Sequence, residues 1–206
     1  MLRPVASAPE TLTLSRRLSP EQSLRRGAVI DAARALAREG GYVAVTMQAV
    51  AERSGVGRAT LYRYFASKDH LLAEVALGWG ADLAAALRTR PLAATARAER
   101  VAAVLVHVLD AAQAEPRLTS AVLTAATSAD PEAVRAGLRL GSVIGGYLDV
   151  ALGGAPDSER DELAQLLGHV FFSSLVHMTS GRLAPDSAAA AVKAAARRLF
   201  PEGASR

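Results

Sequence analysis

The sequence contains no cysteine, which excludes disulfides, thiolate nucleophiles and thiolate metal sites. Aromatic residues make up only 4% of it, so a core must be assembled mainly from Ala, Leu and Val. No apolar run reaches the roughly eighteen residues a membrane-spanning helix needs; the nearest, Val101 to Ala112, is broken by His107 and Asp110. Alternating polar and apolar positions are missing, as are β-branched runs, and the N-terminus has no basic stretch followed by an apolar one. With 50% apolar residues, these absences predict an all-α protein that is cytoplasmic and has no membrane partner.

Catalytic and metal chemistry are short of signals as well. The four histidines, His70, His107, His169 and His177, never fall at a metal-ligand spacing such as i, i+4. The run Gly55-Val56-Gly57-Arg58-Ala59-Thr60 starts like a dinucleotide loop but lacks the third glycine and a preceding strand. No serine sits in a nucleophile elbow. No catalytic residue, metal or cofactor is expected, and a helical enzyme is the weakest of the rival readings.

Charge is placed unevenly. Residues 1–70 carry eleven Arg and Lys against six Asp and Glu, whereas the remaining 136 carry thirteen against fourteen. A basic head on a near-neutral body suggests that the head alone meets a polyanion. A DNA-compacting protein would share the basic head, but it has no use for some 130 near-neutral residues.

Residues 46–72 organise the rest of the chain. Helices over 47–54 and 58–65 would bring Val50, Ala51, Val56, Leu61 and Phe65 onto one small core, with Gly55 in the left-handed conformation between them. That arrangement is a helix-turn-helix, whose second helix is aimed at a DNA major groove. Thr46 caps the first helix, and its hydroxyl and the free N–H groups there suit a phosphate. On the second helix, Arg58, Thr60, Tyr62, Arg63 and Tyr64 point outward, offering guanine-edge donors, a hydroxyl and ring surfaces. Ser67 caps a fourth helix, Asp69 suits its positive end, and Lys68 can reach backbone phosphate.

The surrounding chain is consistent with this head. Residues 1–18 hold Pro4 and Pro9 without apolar periodicity and read as a flexible basic arm ending in Arg16 and Arg17. Ser19, Pro20 and Gln22 form a capping box that opens helix 1, and Val29, Ile30, Ala33, Leu36 and Ala37 recur at helical spacing until Gly40-Gly41. Arg25 and Arg26, early in that helix and away from its apolar side, are phosphate-contact candidates. Helix 4 carries Leu72, Val75, Ala76, Trp79, Leu83 and Leu87 at a period of about 3.6 until Pro91, running out of the head. It can therefore transmit a displacement to the recognition helix. Further helices are expected over 100–114, 116–126, 131–152, 157–181 and 188–200, with 88–99 as a connection. Helix 8 is apolar nearly all round, Phe172 and Val176 included, so helices 8 and 9 are the expected dimer contact.

The run Thr46-Met47, Val50-Ala51, Ser54-Gly55-Val56, then Thr60-Leu61-Tyr62-Arg63-Tyr64-Phe65, Ser67-Lys68 and Leu71-Leu72 resembles the DNA-binding domain of the TetR family of transcriptional regulators over about residues 20–75. The resemblance implies a three-helix DNA-binding domain (19–70) joined by a continuous helix 4 to an all-helical ligand-binding and dimerisation domain (71–206). It implies a homodimer on a roughly palindromic double-stranded operator, with repression relieved by a small molecule. It places phosphate contacts on Thr46, Thr60, Tyr64 and Lys68, and base or near-base contacts on Arg58, Ala59 and Tyr62. Candidates to line an apolar effector pocket are Trp79, Leu83, Val104, His107, Val108, Leu123, Tyr147, Phe171 and Met178. Leu123 to Pro131 and Ser173 to Val176 are similar to the branch of the family that represses sterol catabolism, which implies a bulky inducer such as a steroid acid or its CoA thioester.

Overall fold

The computed structural model of the chain describes residues 18–89, 96–153 and 158–201, less the side chains at 89, 147 and 150. The arm with Arg16 and Arg17, the helix-ending Pro91, the helix-opening Asp157 and the Tyr147 side chain lie outside these residues. Among the described residues there are nine helices and no strand: α1 (Pro20–Ala44), α2 (Met47–Ser54), α3 (Arg58–Tyr64), α4 (Lys68–Thr89), α5 (Arg97–Ala114), α6 (Pro116–Ala126), α7 (Pro131–Leu152), α8 (Ser158–Thr179) and α9 (Pro185–Leu199).

Local chemistry explains the helix ends. The Ser19 hydroxyl accepts the Gln22 N–H at 3.2 Å, and the Gln22 side chain accepts the Ser19 N–H at 2.9 Å, so the capping box is complete. Gly41, at φ 68°, breaks α1, and one further short turn leads into α2. Asp130 caps α7 by accepting the N–H groups of Glu132 and Ala133. Two starts differ from expectation. Helix α5 begins at Arg97 and α9 at Pro185, each earlier than its apolar periodicity indicates. For α9 the start is set by Pro185 in the first turn with Asp186 at the positive helix end, signals that do not depend on an apolar face.

Burial divides the chain between two cores. The first takes in α1 to α4 and is closed by Ala112 of α5 and by Leu118, Ala121, Val122 and Ala125 of α6. The second gathers residues of α5, α7, α8 and α9, among them Val104, Leu105, Leu152, Leu167, Phe171 and Val192. Leu175 and Met178 of α8 pack against both. The helix-turn-helix core is therefore larger than Val50, Ala51, Val56, Leu61 and Phe65 alone, because α6 lies along α1 and completes it.

Polar ties cross the same junction. Ala73, Ala133 and Ala136 form a small buried patch that lets α4 and α7 approach closely. Beside it the Glu74 carboxylate, 5% exposed, accepts from Arg26 of α1 at 2.5 Å and from Arg139 of α7. Arg26 also lies over the Phe65 ring, 5.2 Å from its centre. This corrects the expectation that Arg26 faces away from the core: its long stem carries the guanidinium back across α4. Around it, Tyr42 and Ser128 each donate to Asp69 at 2.7 Å, Arg117 donates to the Glu39 carbonyl at 2.6 Å, and Arg38 grips Glu115 with two bonds. Replacing Glu74 by Gln strips the charge from between two arginines, and E74Q is expected to lower stability by about 1–3 kcal/mol in urea unfolding.

Candidate nucleic-acid interface

The helix-turn-helix is built from buried apolar side chains, and the turn is held locally. Val50, Leu61 and Phe65 are fully buried, with Ala51 and Val56 nearly so. Gly55, at φ 67° and ψ 13°, takes the left-handed conformation that ends α2. Beyond it the Ser54 hydroxyl accepts the Val56 N–H at 3.3 Å. With Leu61 pointing inward, α3 turns Arg58, Ala59, Tyr62 and Arg63 to solvent, Tyr62 at 47% exposure. Thr46 is exposed at the start of α2, where its hydroxyl accepts the Ala49 N–H at 3.1 Å. A cleft of about 440 Å³ separates α1 from the turn, lined by Leu24, Arg25, Ala28, Gly55, Gly57 and Thr60 among others.

The remaining expected contact positions are less open. Thr60 is half-buried at the rim of that cleft. Tyr64, expected to point outward, is half-buried against the first core; its ring meets the edge of Phe65, and its hydroxyl is enclosed without a hydrogen-bond partner. Lys68 is half-buried too, its ammonium 3.5 Å from the Tyr42 ring centre and 3.3 Å from the Tyr42 carbonyl. Arg25 stays exposed and pairs with Glu21, and Arg53 of α2 makes two bonds to Glu39.

The effector-pocket candidates divide between the two cores. Trp79 is buried in the first and Leu83 packs against it, whereas Val104, Phe171 and Val108 belong to or flank the second, and Met178 touches both. Leu123 and His107 are half-buried.

His70, in the first turn of α4, escaped the sequence reading, which treated it only as an ordinary histidine. Its Nδ1 accepts the Ala66 N–H at 3.2 Å, and its Nε2 lies 3.9 Å from Glu74. Burial pushes its pKa below the ordinary 6.5, outweighing the opposing pull of Glu74, Glu132 and Asp130, and Arg26 pushes the same way as burial.

A short helix with an outward row of two arginines and a tyrosine, seated on a glycine turn and backed by a helical body, defines a helix-turn-helix DNA-binding transcriptional regulator. A family model described as "Bacterial regulatory proteins, tetR family" matches residues 29–75, and one described as "Tetracyclin repressor-like, C-terminal domain" matches residues 94–199. The chain belongs to the TetR family of transcriptional regulators. It is 33% identical over 184 residues to the HTH-type transcriptional repressor KstR of Mycolicibacterium smegmatis, covering 88% of this chain and 90% of that one. Its fold matches the crystal structure of a TetR transcriptional regulator from Rhodococcus sp. RHA1 with a TM-score of 0.81 at 26% identity, over 88% of this chain and 98% of that one. It also matches FadR of Thermus thermophilus, a TetR-family repressor solved with lauroyl-CoA, with a TM-score of 0.68 at 19% identity, over 88% and 96%.

A histidine held neutral by burial stabilises the fold fully above its unfolded pKa, and that stability is lost as pH falls through about 6.5, where the unfolded chain takes up the proton more readily. The His70→Asn variant keeps an acceptor for Ala66 and is expected to flatten the decline in melting temperature as pH falls below about 6.5. An unchanged acid limb would show that His70 does not set it.

Proposed function

We propose that this chain is a homodimeric transcriptional repressor that reads a roughly palindromic double-stranded operator with α3 of each subunit and releases it when a bulky apolar effector binds the helical body. The observation that carries the reading is the outward row Arg58, Ala59, Tyr62 and Arg63 over a fully buried Leu61. Two arginines and a ring have no packing purpose there, and they suit guanine edges and thymine methyls. Ala59 offers only a methyl contact, so Arg58 is the direct reader and Tyr62 its apolar companion. Thr46, Thr60 and Lys68 hold register on phosphates. Tyr64 joins them only by swinging its enclosed hydroxyl outward, so in the free protein it packs.

Dimerisation through α8 and α9 is supported by Leu166 at 52% and Phe172 at 44% exposure on α8, and by the exposed small side chains of Ala190 and Ala191 on α9, which packs against it. Exposed large apolar side chains on one helix and small ones on the helix packed against it suit close packing between subunits. The repressor assignment draws on the KstR relative. The effector class draws on the lauroyl-CoA bound to the Thermus thermophilus protein and on the apolar candidates that straddle the two cores. An acyl-CoA or a steroid-acid CoA thioester has the required apolar body.

The test is fluorescence anisotropy of the protein on DNA from upstream of its own gene and on a scrambled duplex at physiological salt. Preference for the upstream duplex, lost on adding lauroyl-CoA or a steroid-acid CoA thioester, is expected. Equal affinity for both duplexes would overturn operator reading, and indifference to both thioesters would overturn the effector class alone. Arg58→Ala should cost about 1–3 kcal/mol and relax preference at one base pair; a loss uniform across sequences would assign Arg58 to phosphate instead.

A further inference from the structure

His107 of α5 has an Nε2 that is buried and has no hydrogen-bond partner. Such atoms are few in folded proteins, because each bears a desolvation cost that only a partner removes. Its position on α5 is informative. Val104, three residues earlier, belongs to the second core, and Ala111, four residues later, packs against the first. Residues at these spacings share one helix face, so His107 lies where α5 passes from one core to the other. Across that seam, Leu175 and Met178 of α8 pack against both cores.

We infer that His107 is the polar recognition point of the effector: a ligand lying in the seam between the two cores supplies the hydrogen bond that Nε2 lacks. The ligand is then an apolar body carrying an oxygen at the depth of α5. That oxygen is a carbonyl if Nε2 bears the proton and donates, or a hydroxyl if Nε2 accepts. The inference rests on the effector reading above and adds a chemical requirement to it. A site with a buried polar group rejects a ligand that cannot pair with it far more strongly than an apolar pocket rejects a wrong shape.

Calorimetric titration of the full-length protein with matched ligands tests this. The pairs are androstanone or androstanol against androstane, and lauroyl-CoA against its dodecyl thioether, which lacks the carbonyl. In at least one pair the member that carries the tested ketone, hydroxyl or thioester carbonyl should bind roughly tenfold or more tightly. His107→Phe should erase that preference, and His107→Gln, which keeps a polar group, should retain part of it. Androstane and the dodecyl thioether, which lack the tested oxygen, should bind all three proteins alike. Preference for the ketone over the alcohol, or the reverse, assigns the proton on Nε2. Equal affinity within every pair, or a preference that survives in both variants, would overturn the assignment of His107 while leaving the effector reading intact. Failure of every ligand to bind would overturn the effector reading and this inference with it.

Discussion

Burying a carboxylate is costly unless its oxygens are taken up by cations or donors, and Glu74 is buried where α1, α4 and α7 meet. Arg26 reaches it from one side and Arg139 from the other. The three groups are spread over the DNA-reading head, the connecting helix and the body, so the carboxylate is satisfied only while all three helices keep their relative positions. The small patch of Ala73, Ala133 and Ala136 makes the close approach of α4 and α7 possible, and Arg26 spreads over Phe65 as it reaches across. Packing and charge therefore specify the same arrangement.

Helix α6 is bound to the head in a similar way. Just before its first turn Glu115 is gripped by Arg38 of α1, and within that turn Arg117 donates to the Glu39 carbonyl near the end of α1. Beyond its last turn, Ser128 donates to Asp69, which also receives Tyr42. Between these ties, Leu118, Ala121, Val122 and Ala125 belong to the head's own core. A shift of α6 must break polar bonds at one end or drag α1 and α4 with it. Such a packed element, fixed at both ends, passes on a displacement as a discrete rearrangement because a close-packed core resists graded deformation.

Much of this was legible in the sequence, and the boundary of legibility has a physical cause. Capping residues act within four positions, so Ser19, Thr46, Gly55 and Asp130 announce helix ends directly. Apolar periodicity reports which side of a helix is buried, which is why Leu61 and Phe65 point in and Arg58 and Tyr62 point out as expected. Periodicity says nothing about what the buried side meets. Arg26 and Glu74 are 48 residues apart and Arg139 and Glu74 are 65 apart, and no local pattern pairs them. The membership of α6 in the head's core was invisible for the same reason. Tyr64 misled because a helical wheel assigns direction from the Cα, whereas a long ring can fold back onto the neighbouring Phe65. The effector candidates were chosen as mostly apolar residues of the body with His107 among them, and periodicity could not reveal that they divide between two cores.

That division bears on how the proposed effector would act. One core holds the reading head rigid and the other holds the body, and α5 and α8 border on both. A ligand shifts such a system only by its difference in affinity between two arrangements; binding both equally tightly moves nothing. A molecule enclosed within a single core would add contacts to whichever arrangement it met. A molecule bound in the seam, as proposed, would touch both cores, and its contacts would discriminate between arrangements to the extent that the cores move relative to one another. Each hundredfold of discrimination is worth about 2.7 kcal/mol, comparable to the few kcal/mol that separate the states of a two-state protein. Helix α4 is continuous from Lys68 to Thr89 and carries Trp79 and Leu83 on the same element as Glu74, so the proposed effector would act on the helix whose carboxylate receives Arg26, and Arg26 in turn lies over Phe65 at the end of the helix-turn-helix.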